Sequence, residues 1–480
     1  MSAPITTPAD LNNVQGDVVI GFSKRFESAV FFQIDNADAF RKQLAALVPK
    51  ITTAAQAASD KDKIKEHKRN GGKDLLKISG LNISFSQTGL TALGITDDLG
   101  DGPFRDGQLK GAEALGDSGS TVNGVFQPNW VPAFKNPIHG VIIVSGDSHA
   151  TVEERLLDTK NTLKLSPQGG TCHEIIRLNG AVRPDDQKGH EHFGFLDGIS
   201  NPAVKDIDTT PFPGQETVAQ GIVLLGREKD TPPRPSWALD GSFLAFRYLF
   251  QLVPEFNDFL RQNAIPGLSP EDGAEFLGAR LVGRWKSGAP LDLTPLKDDP
   301  ELGKDPQRNN NFRYDFPEDI QTQDRCPFAA HVRKTNPRFD LEGVPPEKGG
   351  PFSTENRRIV RRGIPFGPEV TPQEKQSKTT TQERGLLFRC YQSNIANGFQ
   401  FIQESWANAT GFPPFKPADQ VPGFDPIIGQ VNSGTRSMTG ANPNAATASL
   451  QLPTEWVVSK GGEYFFSPSL PALKTTFAKA

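Results

Sequence analysis

His331 is the residue of this sequence whose surroundings best suit a metal ligand. It lies in the segment Cys326-Pro-Phe-Ala-Ala-His-Val-Arg, and a neutral imidazole nitrogen beside apolar residues can bind a metal ion. Arg333, two residues later, could neutralise an anionic group on the same ligand. A histidine that only satisfies hydrogen bonds in the core explains the same pattern, so both interpretations stay open.

Asp197 is a candidate for moving protons. It lies in Gly194-Phe-Leu-Asp-Gly-Ile-Ser-Asn-Pro, where glycines on both sides allow a tight backbone path beside a flat ligand. Phe195 and Leu196 would lower the local dielectric, so we expect the pKa of this carboxyl group to be raised, which suits a proton shuttle. The alternative is an Asx turn that closes a loop.

Two further pairs could carry charge or metal. Arg361 and Arg362 lie on a predicted strand and therefore point to opposite faces, so one could contact a cofactor while the other is solvated. The alternative is that both are solvated charges at the edge of a sheet. His190 and His192 would share one strand face, as zinc ligands often do. No third ligand of suitable spacing accompanies them, so zinc is not predicted.

Apolar periodicity predicts the elements that must position these groups. In the first half we expect strands at 17–22, 28–34, 81–85, 139–145 and 174–178, with helices at 37–50 and 149–164. Ser86 is expected to cap a short helix. In the second half we expect strands at 242–252, 358–362 and 386–391, with helices at 254–263, 269–285 and 393–407.

The two halves repeat a similar order of elements. Phe32-Gln-Ile followed by a helix is echoed by Phe250-Gln-Leu followed by a helix. We therefore predict an α+β protein of two related domains. The hydrophilic, Pro-rich stretch 202–220 marks the boundary, which gives domains 1–210, with Asp197, and 211–480.

Composition excludes several classes of function. The 52 basic and 56 acidic residues give a net charge of −4, which argues against nucleic acid as a partner. No run reaches the roughly 18 apolar residues of a membrane span, so no membrane partner is expected. Three cysteines form neither a disulfide framework nor a Cys-x-x-Cys pair. The first residues lack the features of a signal peptide, which leaves the location open.

Taken together, four ordered stretches resemble the dye-decolorising peroxidases, and among them the long fungal type. They are Glu191-His-Phe-Gly-Phe-Leu-Asp-Gly-Ile-Ser-Asn-Pro, Ala330-His-Val-Arg-Lys-Thr-Asn-Pro-Arg, Arg358-Ile-Val-Arg-Arg-Gly-Ile-Pro-Phe-Gly and Gly385-Leu-Leu-Phe. Asn13-Val-Gln-Gly-Asp is similar to the opening of the family. The resemblance covers nearly the whole chain and is carried by the ordered set rather than by any single stretch.

The resemblance implies two ferredoxin-like domains with antiparallel sheets that enclose a non-covalently bound haem b. It implies that His331 is the iron ligand, hydrogen-bonded to Asp425, and that Arg333 meets a haem propionate. Asp197 and Arg361 would form the opposite, distal wall. Leu386 and Phe388 would narrow access to small oxidants.

The implied activity is peroxidase chemistry. Hydrogen peroxide would be cleaved with Asp197 moving the proton and Arg361 stabilising the departing oxygen. Dyes, phenols and lignin-like aromatics would then be oxidised in one-electron steps, after a ferryl intermediate. These substrates would react at the haem edge or through Trp406, interpreted as a surface relay. Phe366 stands where several relatives have an oxidisable tyrosine, and a packing role for Trp406 is the alternative.

Two other functions remain open at this point. A haem-dependent chlorite-decomposing or oxygenase-like enzyme would share the haem site, although Asp197 suits peroxide cleavage better. A non-catalytic haem carrier or sensor would need neither Asp197 nor Arg361. Fungal members of the family are often secreted, so an extracellular location is expected from the resemblance alone.

Overall fold

Nine antiparallel strands form the main sheet of the computed structural model, which describes residues 4–167, 169–431 and 434–479. In chain order they are β1 Phe26–Ile34, β2 Ser79–Phe85, β3 Gly140–Gly146, β4 Cys172–Ala181, β5 Ser242–Gln251, β6 Val360–Arg361, β7 Ile364–Phe366, β8 Gly385–Gln392 and β9 Val457–Ser467. Shorter strand pairs are Gly119–Val122 with Val125–Pro128, Ala203–Val204 with Thr217–Val218, and Arg436–Met438 with Leu450–Leu452.

The sheet consists of two groups of strands with the same order. The first half gives β2-β3-β1-β4 and the second gives β6-β8-β5-β9, with β7 also on β8. When the strands of each group are numbered in chain order, with β7 left out, they lie across the sheet in the order second, third, first and fourth. The groups join where β9 pairs with β2 at Phe466 and Phe85. This duplication confirms the predicted α+β class, while the division near residue 210 stays a prediction.

Helices follow the first and third strands of each group. The longer ones are Ala37–Leu47, Ala54–Arg69, His149–Leu163, Val253–Gln262 and Pro270–Val282. Short helices are Gly16–Val19, Gln87–Ala92, Gly102–Asp106, Gln108–Gly111, Pro300–Lys304, Pro317–Ile320, His331–Thr335, Phe339–Glu342, Pro372–Ser377, Phe399–Phe401 and Leu470–Ala472, with π-helical turns at Ile402–Ala407 and Leu473–Phe477.

Most predicted elements are present, and three predictions are wrong. Residues 17–22 do not form a strand, because Gly16–Val19 is a helical turn. The helix expected at 393–407 begins only at Phe399. The strand expected at 358–362 contains only Val360–Arg361. Ser86 caps its helix as expected, since its side chain accepts a hydrogen bond from the backbone N–H of Gly89.

Alternating residues of each strand contribute to different cores, as the pleat requires. In β1, Ala29 and Phe31 belong to one buried cluster, whereas Val30 and Phe32 belong to another. A third cluster lies under the helices Val253–Gln262 and Pro270–Val282. The outer strands of the two groups approach each other, because a Cβ on Gly180 would lie 2.4 Å from Cγ2 of Ile364. The sheet therefore curves into a barrel-like shape.

Within the described ranges, no helix is both long and apolar enough to cross a membrane.

Candidate active site

A large cleft opens beside the second strand group. Its empty space, including open solvent at the mouth, is about 1700 Å³. The lining residues all fall between Glu191 and Val457, and most of them are apolar. They include Phe195, Leu196, Ile199, Leu249, Val282, Leu386, Phe388, Phe399, Ile402, Ile427 and Ile428. Such a cleft suits a large, flat and mostly apolar ligand.

One wall of the cleft carries His331, the first residue of a short helix. Its Nδ1 lies 2.9 Å from Oδ2 of Asp425. The Asp425 carboxylate is fully buried, and its Oδ1 accepts hydrogen bonds from the backbone N–H groups of Ile427 and Ile428 at 2.8 and 3.0 Å. An ionised carboxylate accepts the Nδ1 proton, which leaves Nε2 with a free electron pair to bind a metal ion.

The charges of this pair stabilise each other. Burial would raise the pKa of Asp425, but the charge and hydrogen bond of His331, with the two backbone N–H groups, hold it below 3.8. Burial would lower the pKa of His331, and the charge and hydrogen bond of Asp425 raise it instead. Asp425 is therefore an anion that fixes the tautomer and orientation of His331.

Asp197 and Arg361 form the second polar pair of the cleft. Nη1 of Arg361 donates to Oδ1 of Asp197 at 2.7 Å, and the backbone N–H of Gly198 donates to the same oxygen at 2.6 Å. About a third of each side chain is exposed: 37% of Asp197 and 30% of Arg361. The charge of His331 also acts on Asp197, so the two polar pairs face one space.

The predicted rise in the pKa of Asp197 is wrong. Burial does raise it, as expected from the apolar neighbours, but the charge and hydrogen bond of Arg361 and the bond from Gly198 outweigh burial and lower the pKa below 3.8. Asp197 is therefore an anion at neutral pH. It is prepared to take up a proton rather than to give one away.

Leu386 and Phe388 lie two residues apart on β8, so both point to the cleft, which they line. Leu387 and Arg389 point to the other face of the strand. There Leu387 is fully buried in the barrel core. The sequence-based placement of both apolar side chains at the cleft agrees with the structure.

Arg333 does not line the cleft, contrary to its interpretation as the partner of a haem propionate. The side chain is fully buried and binds two buried carboxylates, with Nε 2.7 Å from Oδ2 of Asp340 and Nη1 3.0 Å from Oδ2 of Asp319. Residues two apart on a helix point in different directions, so Arg333 cannot follow His331 into the cleft. Its role is to tie three segments of the chain together.

Trp406 is not a surface residue, contrary to the sequence-based interpretation. Only 3% of it is exposed. Its ring stacks on Phe412 with centroids 5.1 Å apart and meets Phe401 edge to face at 5.7 Å. The guanidinium group of Arg357, a cleft-lining residue, lies 3.5 Å from the centroid of Phe401. A line of contacts therefore leads from Trp406 through the ring of Phe401 to Arg357 at the cleft.

Arg284 and Arg357 are two of the cleft-lining arginines that the sequence analysis did not single out. Arg284 donates to the carbonyls of Gly288 and Asn309 at 2.8 and 2.6 Å, and burial, with the nearby charge of Arg338, lowers its pKa to about 9. Arg357 donates to the side chain and backbone of Asn397. In the described part of the chain, no ion pair with a carboxylate is formed by either residue. Arg284 has no neighbouring motif in the sequence, whereas Arg357 directly precedes the stretch that begins at Arg358.

Comparisons with known proteins agree with this geometry. Residues 13–184 match the family described as "DyP dimeric alpha+beta barrel domain", and residues 189–412 match "Dyp-type peroxidase, C-terminal". A dye-decolorizing peroxidase of Auricularia auricula-judae is 44% identical over 477 residues, which cover 97% of this chain and 87% of the relative.

Solved structures show the same likeness. A mutant of the dye-decolorizing peroxidase from Pleurotus ostreatus is 51% identical, with a TM-score of 0.94 over 98% of this chain and all of the other. A dye-decolorizing peroxidase in complex with 2,6-dimethoxyphenol is 47% identical, with a TM-score of 0.86 over the same shares of the two chains. The chain therefore belongs to the DyP-type peroxidases, a family of haem-dependent peroxidases.

Proposed function

We propose that this protein is a haem peroxidase that uses hydrogen peroxide to oxidise dyes, phenols and lignin-like aromatics. The observation that carries the proposal is one apolar cleft in which the His331–Asp425 pair and the Asp197–Arg361 pair face a common space. The first pair suits an iron ligand with a carboxylate partner, and the second suits peroxide cleavage. The family and the related complex with a phenol support the same reaction.

The residues of the cleft fit a non-covalently bound haem b. Nε2 of His331 would bind the iron, and the apolar walls would pack against the porphyrin. Arg284 is buried and Arg357 is half-buried, and neither has a carboxylate partner among the described residues, so the haem carboxylates would compensate their charge. When bound, haem supplies a redox-active iron that reacts with peroxide and holds two oxidising equivalents.

The chain itself moves the proton. The hydrogen bonds from Arg361 and Gly198 both end on Oδ1 of Asp197, so neither of them occupies Oδ2. Oδ2 is therefore the atom that takes the proton from hydrogen peroxide and passes it to the departing oxygen. Arg361 stabilises the negative charge on that oxygen, and Asp425 keeps the proton of His331 on Nδ1.

Bulky substrates react outside the inner cleft, because Leu386 and Phe388 narrow it to small oxidants. Trp406 is proposed to pass electrons inward through Phe401, despite its burial, because the ring contacts lead from Phe412 towards the cleft. The partly buried position of Phe412 gives this path an outer end.

Replacing Trp406 with phenylalanine should therefore separate two classes of substrate. We expect Trp406→Phe to lower kcat/KM for bulky dyes about tenfold, which corresponds to about 1.4 kcal/mol of activation free energy, and to spare small phenols. Trp237→Phe is the matched control, because Trp237 is a tryptophan outside the cleft lining. Equal losses on dyes and small phenols would exclude the relay.

The visible spectrum of the haem-loaded protein tests the proposal. We expect a Soret band that hydrogen peroxide shifts within milliseconds and that a dye restores, while His331→Ala lacks the wild-type spectrum. A Soret band that peroxide leaves unchanged would favour a haem carrier. Turnover of chlorite without peroxidase turnover would favour the chlorite-decomposing alternative.

A further inference from the structure

Asn201 makes two hydrogen bonds to the backbone of Arg361. Its Oδ1 accepts from the backbone N–H of Arg361 at 2.8 Å, and its Nδ2 donates to the carbonyl oxygen of the same residue at 3.3 Å. Asn201 lies four residues after Asp197 on the same loop. One loop therefore holds Arg361 twice, by its guanidinium group through Asp197 and by its backbone through Asn201.

The sheet explains why these backbone groups need a partner. Arg361 ends the two-residue strand β6 at the outer end of the strand order, opposite Cys390 of β8. The next backbone N–H, that of Arg362, donates to Arg389 of β8 at 2.8 Å. In an antiparallel pair such donors alternate, so the N–H and C=O of Arg361 point away from β8. The amide of Asn201 takes the place of a missing neighbouring strand.

The loop around Asn201 is itself anchored. Nε2 of Gln215 donates to the carbonyl oxygen of Asn201 at 3.1 Å. Oγ of the preceding Ser200 donates to Oδ1 of Asn310 at 2.8 Å. These bonds fix the position of the Asn201 side chain. Its two hydrogen bonds to the backbone of Arg361 therefore hold the end of β6 in a defined place.

We propose that Asn201 is a positioning residue that sets the distance between Arg361 and Asp197. The asparagine amide offers a donor nitrogen and an acceptor oxygen at this length, and both atoms are used, whereas aspartate would offer only acceptors and alanine neither. The proposal rests on the peroxidase function proposed above, because it concerns how the distal pair is held for peroxide. Asn201 acts through Arg361 and takes no part in the proton transfer.

Cyanide binding to the haem-loaded protein tests this without turnover. Hydrogen cyanide, like hydrogen peroxide, loses a proton when it binds as an anion, so its affinity depends on Asp197 and Arg361. For Asn201→Ala we expect cyanide affinity and the rate of the peroxide reaction to fall about tenfold, because a displacement of about 1 Å can cost up to about 100-fold. Asn201→Asp, which keeps the size and one acceptor, should change both in the same direction.

The pH profile gives a second expected result. A displaced Arg361 lowers the pKa of Asp197 less than in the wild type. The loss of rate of the peroxide reaction at low pH should therefore occur at a higher pH in Asn201→Ala and Asn201→Asp. Asn263→Ala is the control, because Nδ2 of Asn263 also bonds a backbone carbonyl, at 2.9 Å, but lies outside the cleft lining. Its cyanide affinity and pH profile should match the wild type.

A double-mutant cycle with Arg361→Leu decides whether Asn201 acts through Arg361. We expect Asn201→Ala to add almost nothing to the loss caused by Arg361→Leu. A full additional loss, or variants of Asn201 that behave like Asn263→Ala, would overturn the positioning role. Wild-type cyanide affinity and peroxide reactivity in Arg361→Leu alone would instead count against the proposed function of the distal pair.

Discussion

Replacing Asp197 with asparagine should slow the reaction with hydrogen peroxide by about 100-fold or more, the usual scale for the loss of a general base. The side-chain oxygen of asparagine can still accept the bonds from Arg361 and Gly198, so the loop should keep its position. What is lost is an oxygen that takes up a proton. Stopped-flow spectra of the haem-loaded variant measure the rate, and the Soret band checks that haem is bound.

The pH dependence gives the same prediction a second test. Because the charge and hydrogen bond of Arg361 lower the pKa of Asp197 from its ordinary value, the wild-type reaction should keep its rate into the acidic range and lose it only as the pH falls through that lowered pKa. Asp197→Asn should lack this acid limb. Asp98→Asn is the control, since Asp98 also pairs with an arginine, Arg105, but is exposed. Undiminished peroxide reactivity in Asp197→Asn would assign the base to another residue.

The sequence predicted those strands that consist of a continuous apolar run. Predicted strands such as 28–34 and 139–145 carry apolar runs that the sheet buries on both faces. The helix Ala54–Arg69 was missed because it buries only Ala54 and Ala57, which leaves no apolar stripe. The strand Val457–Ser467 was missed because it contains two glycines, and a shift of register occurs at Gly461.

The sequence predicted the identity of the site residues better than their arrangement in space. The motifs named His331, Asp197, Arg361 and Asp425, which the structure brings to one cleft as two hydrogen-bonded pairs. Sequence spacing could not show which direction Arg333 takes from its helix. It also could not reveal Asn201, because this residue and the edge strand β6 that it completes are 160 residues apart in the chain.

The wrong strand prediction at 17–22 has a tertiary cause. Asp17 lies in an apolar run, and a short run of this kind does not distinguish a strand from a helix. Its carboxylate binds partners far along the chain: Nη2 of Arg389 at 3.0 Å and the hydroxyl group of Tyr391 at 3.2 Å. Arg389 also binds Glu27, and all three charged side chains are fully buried.

This buried cluster predicts the largest effect on stability. Arg389→Met should lower the free energy of unfolding by about 3–5 kcal/mol, because it leaves two buried carboxylates without their shared cation. Methionine keeps much of the volume, so the loss would come from charge rather than from a cavity. The fall in Tm of the haem-loaded protein at neutral pH measures it. Lys110→Met, which breaks an exposed pair with Asp106, should leave Tm nearly unchanged.

The pH dependence distinguishes charge from packing in this variant. Burial would raise the pKa of Glu27, but the charges of Arg389 and Lys24 and bonds from Arg389 and Ser145 lower it from 4.5 to about 2. In the wild type this contribution to stability is complete above pH 4.5 and is lost as the pH falls towards 2. Without Arg389 the pKa of Glu27 rises, so its protonation stabilises the variant while the wild type loses stability.

The difference in Tm between the wild type and Arg389→Met should therefore narrow as the pH falls. Glu27→Gln should recover part of the loss in Arg389→Met. A difference in Tm that stays constant with pH and is not recovered by Glu27→Gln would assign the effect to packing.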